Sequence, residues 1–373
     1  MQFVIDKAAL LRELGFVKQA TEKKNTIPAL ANVLLQTAGA NVLSITGTDL
    51  DVTVRSEVAA VEIAKAGSVC LPAKKLFEVV RNLPDAPVHF VKDERDWMTI
   101  KCDRAHFRIA GAPADSFAEI PTGRDATITL PAADFKRLAD ETIYAITLEE
   151  SRYTLSGAKF LLDKSGAKMV TTDGHRLALS ENAALGERAG GSTVDTLIPR
   201  KALALLNTML ASVEGEMQVG TSENHLHFEV GPRLLIARTL TGQFPNYEMV
   251  LPKGNDRRAV FDVAALSQAI RRVGLMADDR SHAVTFRLTA GVLHISSQTA
   301  EEGEAQETVT TDYAGEETVI GFNASYLLDP LTVFGEGAVA MQFKDGNTQV
   351  SFVPWADGAA ASAGNHVLMP MRV

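Results

Sequence analysis

Cysteine is nearly absent: Cys70 and Cys102 are the only two in 373 residues. Two thiols cannot staple a chain of this length, and a structural zinc site needs more ligands close by. Both are therefore expected to be buried small apolar side chains, in keeping with a reducing cytoplasm. Long apolar runs are missing too. None approaches the roughly 20 residues that span a bilayer, and "MQFVIDKAALLRELG" shows no charged leader ahead of an apolar block. Neither a membrane anchor nor a secretory signal is expected. An excess of positive charge is also lacking. The net charge of −9 argues against broad, tight nucleic-acid binding by bulk charge, yet leaves room for a local basic surface. The HEXXH, GxSxG and phosphate-loop patterns do not occur. His225 and His227 alternate on a strand with no cysteine or acidic cluster to complete a metal site. No cofactor and no metal are expected.

What is present is a soluble globular composition, 46% hydrophobic and 22% charged, over a length that asks for two or three domains. The chain then repeats itself. "QFVIDKAALLRELGFVKQA" from Gln2, "TITLPAADFKRLADETIYA" from Thr127 and "RAVFDVAALSQAIRRVGLM" from Arg258 each read as a short apolar strand, an acid near a helix start, and a helix. Leu10, Leu11, Leu14 and Val17, and again Leu266, Ile270 and Val273, recur at helical spacing. A second helix follows in each third: "CLPAKKLFEVVRNL", "LIPRKALALLNTML" and, as the weakest copy, "IGFNASYLLDPLTVF". Pro72 and Pro199 sit at or just before two of those starts.

The intervening text alternates as strands do. "AVTFRLTAGVLHIS" turns at Ala290-Gly291, and "MQFKDGNTQVSF" carries Asp345-Gly346 between two apolar arms. "FLLDKSGAKMVTT" and "VGTSENHLHFEV" read as hairpins as well. The loops "DSFAEIPT" and "GQFPNYEMVLP" close the first and second thirds. The expectation is an α+β chain of three similar domains, 1–125, 126–253 and 254–373, each with two helices and antiparallel sheets. Three unrelated α+β domains are the alternative.

Within "MVTTDGHRLALS", Asp173, His175 and Arg176 crowd around Gly174. A carboxylate, an imidazole and a guanidinium in four residues suit a small catalytic site, and an enzyme using Asp173, His175 and Arg176 is one reading. A polar turn is the other: Gly permits a backbone conformation that a Cβ resists, and Asp bonds nearby amides. The first third has "TGTDLDVTV" in the same place, without His.

Seven ordered stretches carry a resemblance: "NTIPALANVLLQ", "ITGTDLDVTV", "TDGHRLAL", "IPRKALALL", "FPNYEMVLP", "GFNASYLLDPL" and the terminal "VLMPMRV". Together they make the chain similar, over essentially its whole length, to the bacterial DNA polymerase III beta subunits, the sliding clamps. The resemblance implies the DNA clamp fold and a head-to-tail homodimeric ring around duplex DNA, held without regard to sequence. It implies a processivity factor rather than an enzyme. The implied partners are the replicative polymerase alpha subunit, the clamp loader and other proteins bearing a clamp-binding motif, typically Gln followed by Leu and Phe.

Carried over residue by residue, a hydrophobic peptide cleft between the second and third domains would be walled by Leu155, Thr172, Gly174, His175, Arg176, Leu177, Pro245, Val250, Tyr326, Met369, Pro370, Met371 and Arg372. Apolar area and adaptable Met suit many partners. The DNA-facing set would be Lys24, Lys74, Arg81, Arg137, Arg152, Tyr153, Arg200, Lys201 and Arg271. The six candidate helices, with the third taken as 132–146, carry a net +5 and leave −14 for the remainder of the −9 total. That asymmetry has the sign a DNA-facing lining needs, and its small size suits a ring that slides without gripping.

Overall fold

The computed structural model describes residues 1–21, 27–39, 41–121, 126–149, 151–211, 213–299, 303–360 and 364–372. The chain divides into two compact units, residues 1–136 with 201–239, and residues 137–200 with 240–373. No helix among the described residues is long and apolar enough to cross a membrane.

The first third runs β1 (Gln2–Ile5), α1 (Lys7–Val17), β2 (Asn32–Ala38), β3 (Val42–Thr48), β4 (Val52–Ala59), β5 (Glu62–Lys65), β6 (Ser68–Pro72), α2 (Ala73–Asn82), β7 (Val88–Lys92), β8 (Trp97–Cys102) and β9 (Ala105–Ala110). The second runs β10 (Ala126–Pro131), α3 (Ala132–Asp140), β11 (Gly157–Asp163), β12 (Gly166–Thr172), β13 (Arg176–Asn182), β14 (Val194–Pro199), α4 (Arg200–Leu210), β15 (Glu216–Ser222), β16 (His225–Val230) and β17 (Arg233–Arg238). The third runs β18 (Arg257–Asp262), α5 (Val263–Gly274), β19 (Ala283–Thr289), β20 (Val292–Thr299), β21 (Gly303–Thr310), β22 (Thr318–Asn323), α6 (Ala324–Phe334), β23 (Ala338–Phe343), β24 (Val350–Ala356), β25 (Ala359–Ala360) and β26 (Asn365–Leu368). The order of strands and helices thus repeats, with the extra strands β5 and β25 as local departures.

Local chemistry explains the helix starts. The Asp6 carboxylate accepts the Ala9 N–H at 2.8 Å and Asp262 accepts that of Ala265 at 2.7 Å, satisfying amides that a helix N-terminus leaves open. Asn323 does the same for α6, accepting from Ser325 and Tyr326, and that helix holds Pro330 in its interior. The third candidate helix is shorter than the sequence suggests. It stops at Asp140 and is followed by a 3-10 turn at Ile143–Ala145, because the Thr142 hydroxyl bonds back to the Leu138 carbonyl at 2.7 Å while Thr171 claims the Thr142 carbonyl at 2.5 Å. The Asp345-Gly346 pair does join two strands, but within the connection 344–349 rather than as a two-residue turn. Asp345 accepts both Asn347 N–H and Thr348 N–H there.

In the first unit, one sheet has the order β5-β1-β7-β8-β9 and a second β10-β15-β16-β17-β4-β3-β2-β6. Helices α1 and α2 lie side by side. Gly15 permits this approach, since a Cβ there would stand 3.1 Å from the Phe77 ring. A buried ion pair ties α1 to β17. Glu13, 3% exposed, accepts from Arg233 Nε at 2.8 Å and Nη2 at 3.1 Å and from Ser56 at 2.6 Å. Burial works against its charge, yet these donors hold its pKa down to about 2. In the second unit, one sheet runs β14-β11-β12-β13-β26-β24-β23-β18 with β25 on β24, and another β21-β20-β19-β22. The core under α5 and α6 is apolar, with Phe261, Leu266, Ile270, Phe286, Phe322, Leu327 and Phe352 all buried.

Candidate functional site

The TDGHR stretch is the turn between β12 and β13. Thr172 Oγ1 donates to the Arg176 carbonyl at 2.6 Å and accepts from Gly174 N–H at 3.1 Å. Asp173 Oδ1 accepts the N–H groups of His175 and Arg176 at 2.9 and 3.1 Å. The first third builds the same turn at Thr48–Val52. Thr48 Oγ1 donates to the Val52 carbonyl and accepts from Leu50 N–H, and Asp49 Oδ1 accepts from Asp51 and Val52 N–H. The middle residue has positive φ in both, +90° at Gly174 and +80° at Leu50. Thr and Asp are therefore there to fold the backbone.

Arg176 then departs from that pattern, since Val52 stands in its place. Its guanidinium bonds Asp173 Oδ2 through Nε at 3.0 Å, the Tyr144 carbonyl through Nη2 at 2.9 Å, and Asp329 on α6 through Nη1. The Tyr326 ring centroid lies 4.3 Å from it and that of Tyr144 5.2 Å. Burial opposes its charge, but the Asp329 and Asp173 carboxylates outweigh that and raise its pKa above the ordinary arginine value. With Asp173 and Arg176 committed to each other and to the turn, and His175 exposed with its ring 6.2 Å from that of Tyr326, the three groups do not form a catalytic set. Among the described residues no three of His, Cys, Asp and Glu gather to hold a metal.

Beside Arg176 lies an apolar pocket of about 120 Å³, lined by Leu155, Thr172, Gly174, Arg176, Leu177, Pro245, Val250, Val367 and Met369. Its floor is one row across three strands, because Thr172 pairs with Leu177 and Leu177 with Val367, and directly opposed residues share a face. Leu155 comes from a 3-10 turn, and Pro245 and Val250 from the loop after β17. Eight of the residues inferred from resemblance meet here, and Val367 joins them as one that the sequence reading did not single out. A second, more polar cavity of about 490 Å³ shares Arg176 as a lining residue and includes Tyr144, Leu148, Glu149, His175, Tyr326 and Asp329. Pro370, Met371 and Arg372 line neither cavity. The segment carrying them is tied down, with Met369 N–H on the His175 carbonyl at 3.0 Å and Met371 N–H on the Gly321 carbonyl at 2.8 Å.

The basic residues inferred to face DNA are more varied. Lys24 lies outside the described residues. Lys74, Arg200 and Arg271 are exposed, Arg81 stands 5.7 Å from the Phe77 ring centroid, and Tyr153 is exposed at the start of a 3-10 turn. Three others have internal partners. Arg137 bonds Glu141 and the Glu181 carbonyl, Lys201 pairs with Asp49 and the Ala20 carbonyl, and Arg152 pairs with Glu149 and donates to the Asp173 carbonyl at 2.7 Å. The net helix charge therefore overstates what is free to meet phosphate, and Arg152 buttresses the TDGHR turn.

Models of the DNA polymerase III beta subunit match the chain three times in succession: the N-terminal domain over residues 1–121, the central domain over 129–246 and the C-terminal domain over 248–372. The beta sliding clamp of Pseudomonas putida strain KT2440 is 33% identical over 374 residues, with both chains covered completely. Among solved structures, the sliding clamp of Bartonella birtlesii bound to griselimycin superposes with a TM-score of 0.93 at 31% identity, again over the whole of both chains. That of Caulobacter crescentus does so with a TM-score of 0.90 at 33% identity and the same coverage. This chain belongs to the DNA polymerase III beta subunit family, the bacterial beta sliding clamps.

Proposed function

We propose that the chain is the processivity factor of a bacterial replicase, acting in the cytoplasm as a head-to-tail dimeric ring around duplex DNA. Its three domains are bounded near residues 125 and 253, and it has no catalytic role of its own. The polymerase alpha subunit, the clamp loader and other partners dock by a short peptide at the apolar pocket floored by Thr172, Leu177 and Val367, with Arg176 as one wall.

The observation that carries the ring is a rule of strand pairing. Strand β4, third of the middle strands of the first domain, pairs with β17, the last strand of the second. Strand β13, third of the middle strands of the second domain, pairs with β26, the last strand of the third. The rule then leaves two strands over, β21 of the third domain and β9 of the first, and each is the edge of its sheet. A head-to-tail partner supplies the missing seam, β21 of one copy against β9 of the other. Two such seams close a two-fold ring and cover both of these edges. Phe107, a large apolar side chain 39% exposed on β9, fits an edge that is covered in the assembly.

The test is topological. Loaded on nicked circular DNA by a clamp loader and ATP, the protein should remain bound through gel filtration. Linearising the circle should release it, because a ring slides off an end. Equal retention on cut and uncut DNA would exclude encirclement.

A further inference from the structure

Arg176 lines both the apolar pocket and the polar cavity and so forms part of the wall of each. A wall shapes a pocket only if it stays in place. Two of its three hydrogen-bond partners are close at hand: Asp173 belongs to the same turn, and Tyr144 to the 3-10 turn after α3. The third, Asp329, is 153 residues away on α6. Asp329 is one helical turn after Tyr326, whose ring covers a face of the same guanidinium. This one carboxylate thus fixes the far edge of Arg176 and aligns it under the Tyr326 ring.

The Arg176 side chain is only 10% exposed. With Nε, Nη1 and Nη2 each engaged, it cannot turn to an incoming peptide without breaking a bond it already has. Its part in binding is to be a rigid wall, and rigidity before binding lowers the ordering cost of association. Asp329 itself lines the polar cavity and not the apolar pocket.

We propose that Asp329 is a positioning residue for peptide capture: through its bond to Arg176 it holds the wall of the apolar pocket in its binding-competent place. This rests on the cleft reading given above. Losing Asp329 frees one edge of a guanidinium held by charge-assisted bonds, the stronger kind. Peptide affinity should fall by about tenfold, the scale on which one such bond acts.

The experiment measures fluorescence anisotropy of a labelled peptide of the Gln-Leu-Phe type on the full-length chain, with Asp329→Ala, Asp329→Asn, Arg176→Ala and the double variant Asp329→Ala/Arg176→Ala. Light scattering and thermal melting are run on each. Asp329→Ala should weaken binding about tenfold in the wild-type background and have almost no effect once Arg176 is Ala, because the effect passes through Arg176. Asp329→Asn, which keeps the shape but loses the charge, should fall between, and it serves as the test if the Ala variant does not fold. Unchanged affinity in the Asp329 variants would overturn the proposal, as would an equal loss with and without Arg176. Failure of the wild-type chain to bind any such peptide would instead overturn the cleft reading, and this proposal with it.

Discussion

Gly174 and Leu50 occupy the same place in two copies of one turn, and only one of them suits it. At φ +80° the Leu50 backbone stands where an L-residue crowds its own Cβ, a cost of roughly 1–2 kcal/mol. Its side chain is 53% exposed, so little packing compensates. Gly174 at +90° carries no such strain, and a Cβ added there would meet Arg152 Nη1 at 3.0 Å. The two substitutions should therefore act in opposite directions. Leu50→Gly should stabilise by about 0.5 kcal/mol, the relief of strain exceeding the entropy that Gly adds to the unfolded chain. Gly174→Ala should destabilise by about 1–2 kcal/mol. Denaturant midpoints read both, and a shift of the same sign in both would refute the equivalence of the turns.

Strand β26 shows what an element adds to its residues. One face offers Val367 to the pocket floor, and the neighbouring His366 is buried, 1% exposed, with Nδ1 at 2.8 Å from the Tyr144 hydroxyl and the Phe334 ring edge-on at 4.8 Å. Burial alone depresses the His366 pKa from 6.5 to about 4. The sign follows: as pH falls below 6.5 the unfolded chain takes a proton that the folded chain refuses until about 4. Stability from this group is thus full above pH 6.5 and declines by about 1.4 kcal/mol per pH unit between the two values. His366→Asn keeps an acceptor for Tyr144 and removes the titration. Its stability relative to wild type should rise steadily from pH 6.5 to 4.5 in urea unfolding, and a constant difference would disprove the assignment. None of this was legible beforehand, whereas the hairpin at Ala290-Gly291 and the caps at Asp6 and Asp262 were, because their partners lie within a few residues. Asp329 with Arg176, and Glu13 with Arg233 across 220 residues, are long-range pairs, and Asp329 and Glu13 enter the sequence reading only as acidic charges on candidate helices. For the same reason Arg137 and Lys201 counted as free cations until their acceptors came into view. Val367 had no assigned face until its register against Leu177 was known.

At the scale of the molecule, each internal seam is an antiparallel strand pair, and each is reinforced by a helix outside the sheet. Glu13 on α1 clamps Arg233 on β17, which pairs with Ser56 of β4. On the second seam, Arg176 of β13 pairs with Leu368 of β26 while its side chain reaches Asp329 on α6. Covalent connection keeps these two seams closed even when a pair opens briefly. The proposed third seam, β21 against β9, has no such tether, so it is where a ring of this kind would part to admit DNA. An intermolecular seam is also the one that a surface substitution can abolish without unfolding either chain. Phe107→Asp places a charge on the open edge of β9 at a position already 39% exposed, so the fold should tolerate it with a change within about 0.5 kcal/mol. In the dimer, the same carboxylate would be desolvated against the partner's β21, which costs far more. Light scattering should accordingly give about twice the 40.1 kDa chain mass for wild type and the single-chain mass for Phe107→Asp, with matching circular dichroism. The variant should also lose retention on circular DNA while still binding the Gln-Leu-Phe peptide, since the pocket residues lie wholly within 137–200 and 240–373. A dimeric mass that persists in Phe107→Asp would mean that the ring closes through some other edge.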